Sequence, residues 1–208
     1  MKWHVLAAGT VALLAVGWVT PAEATPITYT ESATGTGVLD GKSFTDALVT
    51  ITFSGDTSNV ASFGGGCGPC LVNVPALSTT VNVVGVGTDT FTDTVGIIGI
   101  PVLSPELGNM AGVVFVDAAP GTPGLAILVT ISNALLGYDL ISPIGPISGG
   151  AFADDVFSTT SGSFQWASTP ETSTFTATPS PVPEPASIVL LGTGLIGAAA
   201  RRWRTRKA

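Results

Sequence analysis

The sharpest chemical signal in the chain is Cys67-Gly68-Pro69-Cys70, two thiols at the spacing of a dithiol redox centre or half of a zinc site. Redox catalysis needs the first sulfur at a helix N-terminus, where backbone N–H groups and the helix dipole stabilise the thiolate. Three glycines precede Cys67, and Leu71-Val72-Asn73-Val74-Pro75 follows Cys70, a β-branched run ending in proline where that helix should lie. A metal would need further ligands beyond the two thiols. In an oxidising compartment the simpler reading is a disulfide between Cys67 and Cys70 that pinches a Gly-rich loop.

Imidazole chemistry depends on the N-terminus, because the single histidine is His4. Lys2, the apolar stretch Val5 to Val19 and the small-residue site Ala22-Glu23-Ala24 have the layout of a secretory signal, with cleavage by signal peptidase expected after Ala24. The competing reading, a retained first helix, is weakened by length: 15 apolar residues span about 22 Å of a hydrocarbon core about 30 Å thick. Once cleaved, the chain holds no histidine. Ser-His-Asp and Cys-His nucleophiles and His-ligated metals are then excluded, and any enzyme must work with carboxylates.

The carboxylates form no catalytic set. Asp89 and Asp93, four apart on a strand, would share a face but stand about 13 Å apart, too far for a paired acid and base. Asp154 and Asp155 would point to opposite faces if extended. Asp56 with Ser58 and Asn59 lacks the spacing and terminal glutamate of an EF-hand loop. These residues read as solvated loop acids; no enzyme activity, metal or cofactor is expected.

The positioning elements must suit an unusual composition: 10% charged residues, 26 glycines and 15 prolines in 208 residues. Such a chain is no helical bundle or coiled coil. Of seven cations only Lys42 lies outside the terminal segments, so no basic surface remains for nucleic acid. The stretch from residue 25 to 183 carries twelve acids against one lysine, and about a quarter of it is Ser or Thr. Hydroxyls must supply most of its polar surface, which suits an extracellular face and O-glycosylation.

At the C-terminus Val182-Pro183-Glu184-Pro185-Ala186 leads into the apolar run Ser187 to Ala200 and then Arg201, Arg202, Trp203, Arg204, Thr205, Arg206 and Lys207. The 15 residues from Ala186 make about 22 Å of helix, which Trp203 and snorkelling arginines can extend. Five cations in seven residues would keep this end cytoplasmic by the positive-inside rule, leaving the body outside. Gly192-Thr193-Gly194-Leu195-Ile196-Gly197 matches a dinucleotide fingerprint, but the chain ends 11 residues later, without the second strand or acidic residue such a site needs. Small residues of a transmembrane helix account for it.

The tripartite end resembles the PEP-CTERM sorting signal of Gram-negative bacteria that make extracellular polysaccharide. The resemblance covers about the last 27 residues. It implies recognition of Pro183, Glu184 and Pro185 by an exosortase, a membrane-embedded cysteine protease or transpeptidase, which processes the tail and passes the protein to the surface or matrix. The inner membrane would then be a transient anchor. The alternative is a Pro-rich linker before a plain tail anchor. The stretch Tyr29 to Val60 weakly resembles N-terminal regions of other PEP-CTERM proteins of unassigned role, which names no activity.

In the body the apolar repeat is two. Leu48 to Ser54 and Thr88 to Thr94 alternate, and further strands are expected near Ile27 to Glu31, Leu77 to Val84, Gly96 to Leu103, Gly112 to Asp117, Leu125 to Ile131, Ser163 to Trp166 and Ser173 to Ala177. Turns are expected at Ser54-Gly55-Asp56, Gly64-Gly65-Gly66, residues 119–124 and Ser148-Gly149-Gly150. Leu125 to Tyr138 reads as a strand leading into a short helix near Asn133.

The expectation is an all-β, single β-sandwich-like domain, flanked by a signal peptide and a C-terminal transmembrane helix. Its segments are a signal peptide at 1–24, the β domain at 25–168, a Pro/Ser/Thr-rich linker at 169–182 and the sorting signal at 183–208, with helix 186–200 and basic tail 201–207. Two function classes remain: a structural surface or matrix protein associated with exopolysaccharide in a biofilm, and a carbohydrate-binding or hydrolytic sandwich with the same address. Sugar recognition commonly uses aromatic platforms, and the body offers only Trp166, Tyr29 and Tyr138 besides its phenylalanines. The structural class is therefore preferred.

Overall fold

Alternation of apolar and hydroxyl residues turns into long strands. The computed structural model describes residues 25–63, 70–73, 78–100, 111–118, 126–153 and 156–179. In β1 (Pro26–Leu39) Ile27, Tyr29, Glu31 and Ala33 face inward while Thr28, Thr30 and Ser32 face out, and in β2 (Lys42–Asp56) Val49, Ile51 and Phe53 do the same. Asp40 and Gly41 join them, both at positive φ (52° and 76°), the conformation of a two-residue type I′ hairpin turn.

The remaining strands are β3 (Val60–Phe63), β4 (Cys70–Asn73), β5 (Ser78–Val83), β6 (Gly87–Thr90), β7 (Val95–Ile100), β8 (Ala111–Asp117), β9 (Ala126–Ser132), β10 (Ile144–Phe152), β11 (Val156–Ser158), β12 (Ser163–Trp166) and β13 (Thr172–Pro179). The all-β class stands. In place of two separate sheets, the strands join one antiparallel sheet in the order β3-β4-β7-β8-β9-β10-β13-β1-β2-β5-β6, with β12 also pairing β1 and β11. The sheet curls, so strands far apart in that order pack face to face: Phe53 on β2 meets Phe115 on β8 with ring centroids 6.1 Å apart. The Trp166 indole N–H on β12 donates to the Ile127 carbonyl on β9 at 2.9 Å.

Two aromatic groups fill the curl. One joins Phe44, Phe91, Phe157, Phe164 and Trp166, with Phe164 and Trp166 rings 5.3 Å apart edge to face. The other joins Tyr29, Phe53, Phe115, Phe175 and Tyr138. Each such ring pair adds about 0.5–1.5 kcal/mol beyond the area it buries. In β8 and β9 both faces are buried, with Val114, Val116, Ala126 and Val129 forming a second, smaller cluster. That is why these strands read as continuous apolar runs rather than alternations.

Several expectations shift. Ser54-Gly55-Asp56 and Ser148-Gly149-Gly150 are not turns but lie inside β2 and β10. Gly55 and Gly149 answer to crowding: a Cβ on Gly55 would sit 2.6 Å from the Phe53 ring, and one on Gly149 would sit 2.1 Å from the Ile131 carbonyl oxygen. The strand expected to Thr94 stops at Thr90, and Phe91 makes an isolated bridge to Thr159. Of the expected linker, Thr172–Pro179 is strand β13, which contains the strand expected at Ser173 to Ala177 and is hydrogen-bonded between β10 and β1. The strand followed by a short helical turn after Leu125 is present as β9 and a 3₁₀ turn at Asn133–Leu135.

Candidate functional site

The register of β1 and β13 brings the two ends of the domain together. Ile27 stands opposite Pro179 and Thr28 opposite Thr178, so the chain enters and leaves the sheet side by side at one pole. Pro26 is also opposite Asp56 on β2, and the Thr57 N–H donates to the Thr25 carbonyl at 3.1 Å. Asp56 caps the following 3₁₀ turn, its side chain accepting from the Ser58 N–H at 2.7 Å, so the residues weighed as part of a calcium loop are a local cap. Among the described residues, no group of three or more His, Cys, Asp or Glu side chains is placed to hold a metal.

Beneath this pole lies a buried polar network. The Tyr29 hydroxyl donates to the Leu140 carbonyl, and Asn73 Nδ2 donates to the Tyr29 oxygen at 3.0 Å and to the Asp56 carbonyl at 3.1 Å. Burial pushes the Tyr29 phenol up to about 12 against the opposing Asn73 bond, so it remains a donor. Tyr138 is likewise raised by burial, with Tyr29 and Asp139 adding to it. Burial also acts on Asp139, but hydrogen bonds from Ser142 and Ile141 outweigh it and hold that carboxyl below its usual range. The result is a stiffened loop, Tyr138 to Pro143, tied to β1 through Leu140.

The other acids are also structural ties. Asp89 and Asp93 do not share a strand face: Asp93 lies past the end of β6, and both hold the turn between β11 and β12. Asp89 accepts from the Thr160 hydroxyl and, at 2.9 Å, from the Ser161 N–H, and these bonds keep it below the ordinary carboxylate range. Asp93 accepts from the Ser158 N–H at 2.6 Å, and Asp40 accepts from the Thr159 hydroxyl. Three carboxylates thus converge on one turn from two stretches of chain. Spacing along the sequence could not reveal this, since the partners lie 65 to 119 residues apart.

Cys70 opens β4, is fully buried and is disulfide-bonded. It is followed by strand, not by the helix that thiolate activation requires. Cys67, Ala22, Ala24, Pro183, Glu184, Pro185, Arg201, Arg202, Arg204, Arg206 and Lys207 lie outside the described residues, as do Asp154 and Asp155. Among the described residues no helix is long and apolar enough to cross a membrane; the apolar run 186–200 is not among them.

Residues 181–207 match the family model of the PEP-CTERM protein-sorting motif. The match begins two residues after Pro179, the last residue of β13. No curated protein and no solved structure matches the chain.

Proposed function

We propose that this chain, which carries a PEP-CTERM sorting motif at its C-terminus and is therefore an exported substrate of an exosortase, serves as a non-enzymatic structural component of the cell surface or extracellular matrix. The observation that carries the reading is the sorting motif set immediately behind a central strand of an all-β domain, in which Asp40, Asp56, Asp89, Asp93 and Asp139 hold turns and caps. The delivered cargo is then the domain itself, in a biofilm layer with exopolysaccharide around it.

The route begins with signal peptidase cleavage after Ala24 and a transient inner-membrane anchor at 186–200. Exosortase processing at Pro183-Glu184-Pro185 then releases the body to the surface or matrix. Cys67 and Cys70 close the β3–β4 connection as a disulfide without catalytic turnover, so the purified body should not reduce insulin with dithiothreitol.

The placement of the aromatics counts against a carbohydrate-binding or hydrolytic role. Tyr29 and Trp166 are buried, and the tryptophan N–H is already bonded to Ile127. Phe152, 48% exposed, is the most exposed aromatic residue among the described side chains. Deleting the gene and imaging biofilm architecture tests the structural role, with restoration expected from the full chain but not from one truncated after Pro179. Glycan-array binding or polysaccharide turnover by the exported body would overturn it.

A further inference from the structure

Both tethers of the unprocessed chain leave from the same pole. Thr25 and Pro26 enter there beside Asp56, and Pro179 exits opposite Ile27. From Pro179 to Ala186 the chain can span about 24 Å at full extension, whereas β1 alone, with 14 residues, is about 45 Å long. A leash about half the length of β1, anchored at one end of the domain, holds that end toward the bilayer.

A braced loop with exposed apolar side chains climbs to the same pole. Ile144 stands opposite Ala177, two residues before the exit, and the Leu140 carbonyl is held by Tyr29, three residues after Pro26. Between these anchors Ile141 is 50% exposed, and Leu136 on the same connection is 48% exposed. Asp139 accepts from the N–H groups of Ile141 and Ser142, turning its own charge into the loop and leaving the isoleucine outside. The single lysine of the described residues, Lys42, lies at the opposite tip beside the Asp40-Gly41 turn. Apolar contact, not attraction of cations to anionic headgroups, is what this pole offers a membrane.

We propose that the Leu136–Pro143 loop is a lipid-facing surface: while the sorting tail is inserted, Ile141 and Leu136 rest on the outer leaflet and orient the domain with its Asp40–Gly41 tip away from the membrane. This rests on the sorting reading above, since it needs the tail in the bilayer. Loss of the tail removes the leash, and a contact of two side chains is too small to retain the body alone.

The test uses the full chain synthesised into phosphatidylcholine vesicles containing a diazirine-bearing phosphatidylcholine, followed by photolysis and peptide mapping. Adducts on 133–146 should exceed those on 37–47 by about fivefold or more. Ile141→Ser and Leu136→Ser together should lower the loop labelling several-fold without changing labelling of 186–200. Equal labelling of loop and tip, or an unlabelled loop beside a labelled tail, overturns the proposal. An unlabelled tail overturns the sorting reading and this orientation with it.

Discussion

The hydroxyl of Thr130 on β9 donates to the carboxyl of Glu31 on β1, 99 residues away in sequence, and both side chains are fully buried. Ser173 Oγ stands 2.7 Å from the same hydroxyl, while the second carboxyl oxygen of Glu31 has no partner. Burial therefore pushes Glu31 up to about 8, only partly opposed by the Thr130 bond.

The sign of the pH dependence follows. Glu31 keeps its proton in the fold to about 8 but loses it near 4.5 when unfolded, so its contribution to stability is full below 4.5 and is lost as pH rises to 8. Asp89 and Asp139, whose values are lowered, act oppositely, stabilising above about pH 4 and ceasing to do so in acid. Thermal melts of the exported body should show a maximum at about pH 4–5. Glu31→Gln should flatten the decline between 5 and 8 and raise the melting temperature at pH 8; a wild-type melt that rises over that interval would contradict the assignment.

Tyr29→Phe removes one oxygen and strands two partners, the Leu140 carbonyl and one bond of Asn73. The expected cost is about 1–3 kcal/mol, or roughly 3–9 °C in melting temperature. Hydrogen exchange should quicken across Tyr138 to Pro143 more than in the β11–β12 turn. Equal quickening in both places would mean the bond does not anchor the loop.

Adjacent glycines in β10 offer an internal control. Gly149→Ala puts a methyl into the Ile131 backbone and should destabilise by about 2 kcal/mol or more, whereas nothing lies within 4 Å of a Cβ on Gly150. Urea melts of the two variants should separate accordingly. Coincident curves would refute the close approach of β9 and β10.

Replacing Pro183, Glu184 and Pro185 with alanines should leave export unchanged and trap a full-length species in the membrane fraction. Antibodies to the body and to the Arg-rich tail follow the two ends. A mature wild-type pool that keeps its tail, or a triple mutant released as well as wild type, would leave a plain tail anchor in place of processing.

Local order along the chain was enough to read the address and the class of fold. Pro183-Glu184-Pro185, the apolar run and the arginines act as a linear signal, and the repeat of two in Val49, Ile51 and Phe53 reports a strand because successive side chains alternate faces whatever the topology. Where a residue's role depends on a distant neighbour, that local order misled. Gly149 read as a turn until the Ile131 backbone beside it supplied the reason for a missing side chain, and residues 169–182 read as linker around an expected strand at Ser173 to Ala177 because Thr and Ser are equally at home in loops and on the outer face of a sheet. Glu31 sits in the inward phase of β1 yet carries the wrong chemistry for a core, and only the tertiary arrangement that brings Thr130 of β9 to it, with Ser173 of the paired strand β13 beside that hydroxyl, explains how a carboxyl is tolerated there. Tertiary structure alone also decided that the β domain begins and ends at one pole, because the pairing of Ile27 with Pro179 is a contact between the first strand and the last.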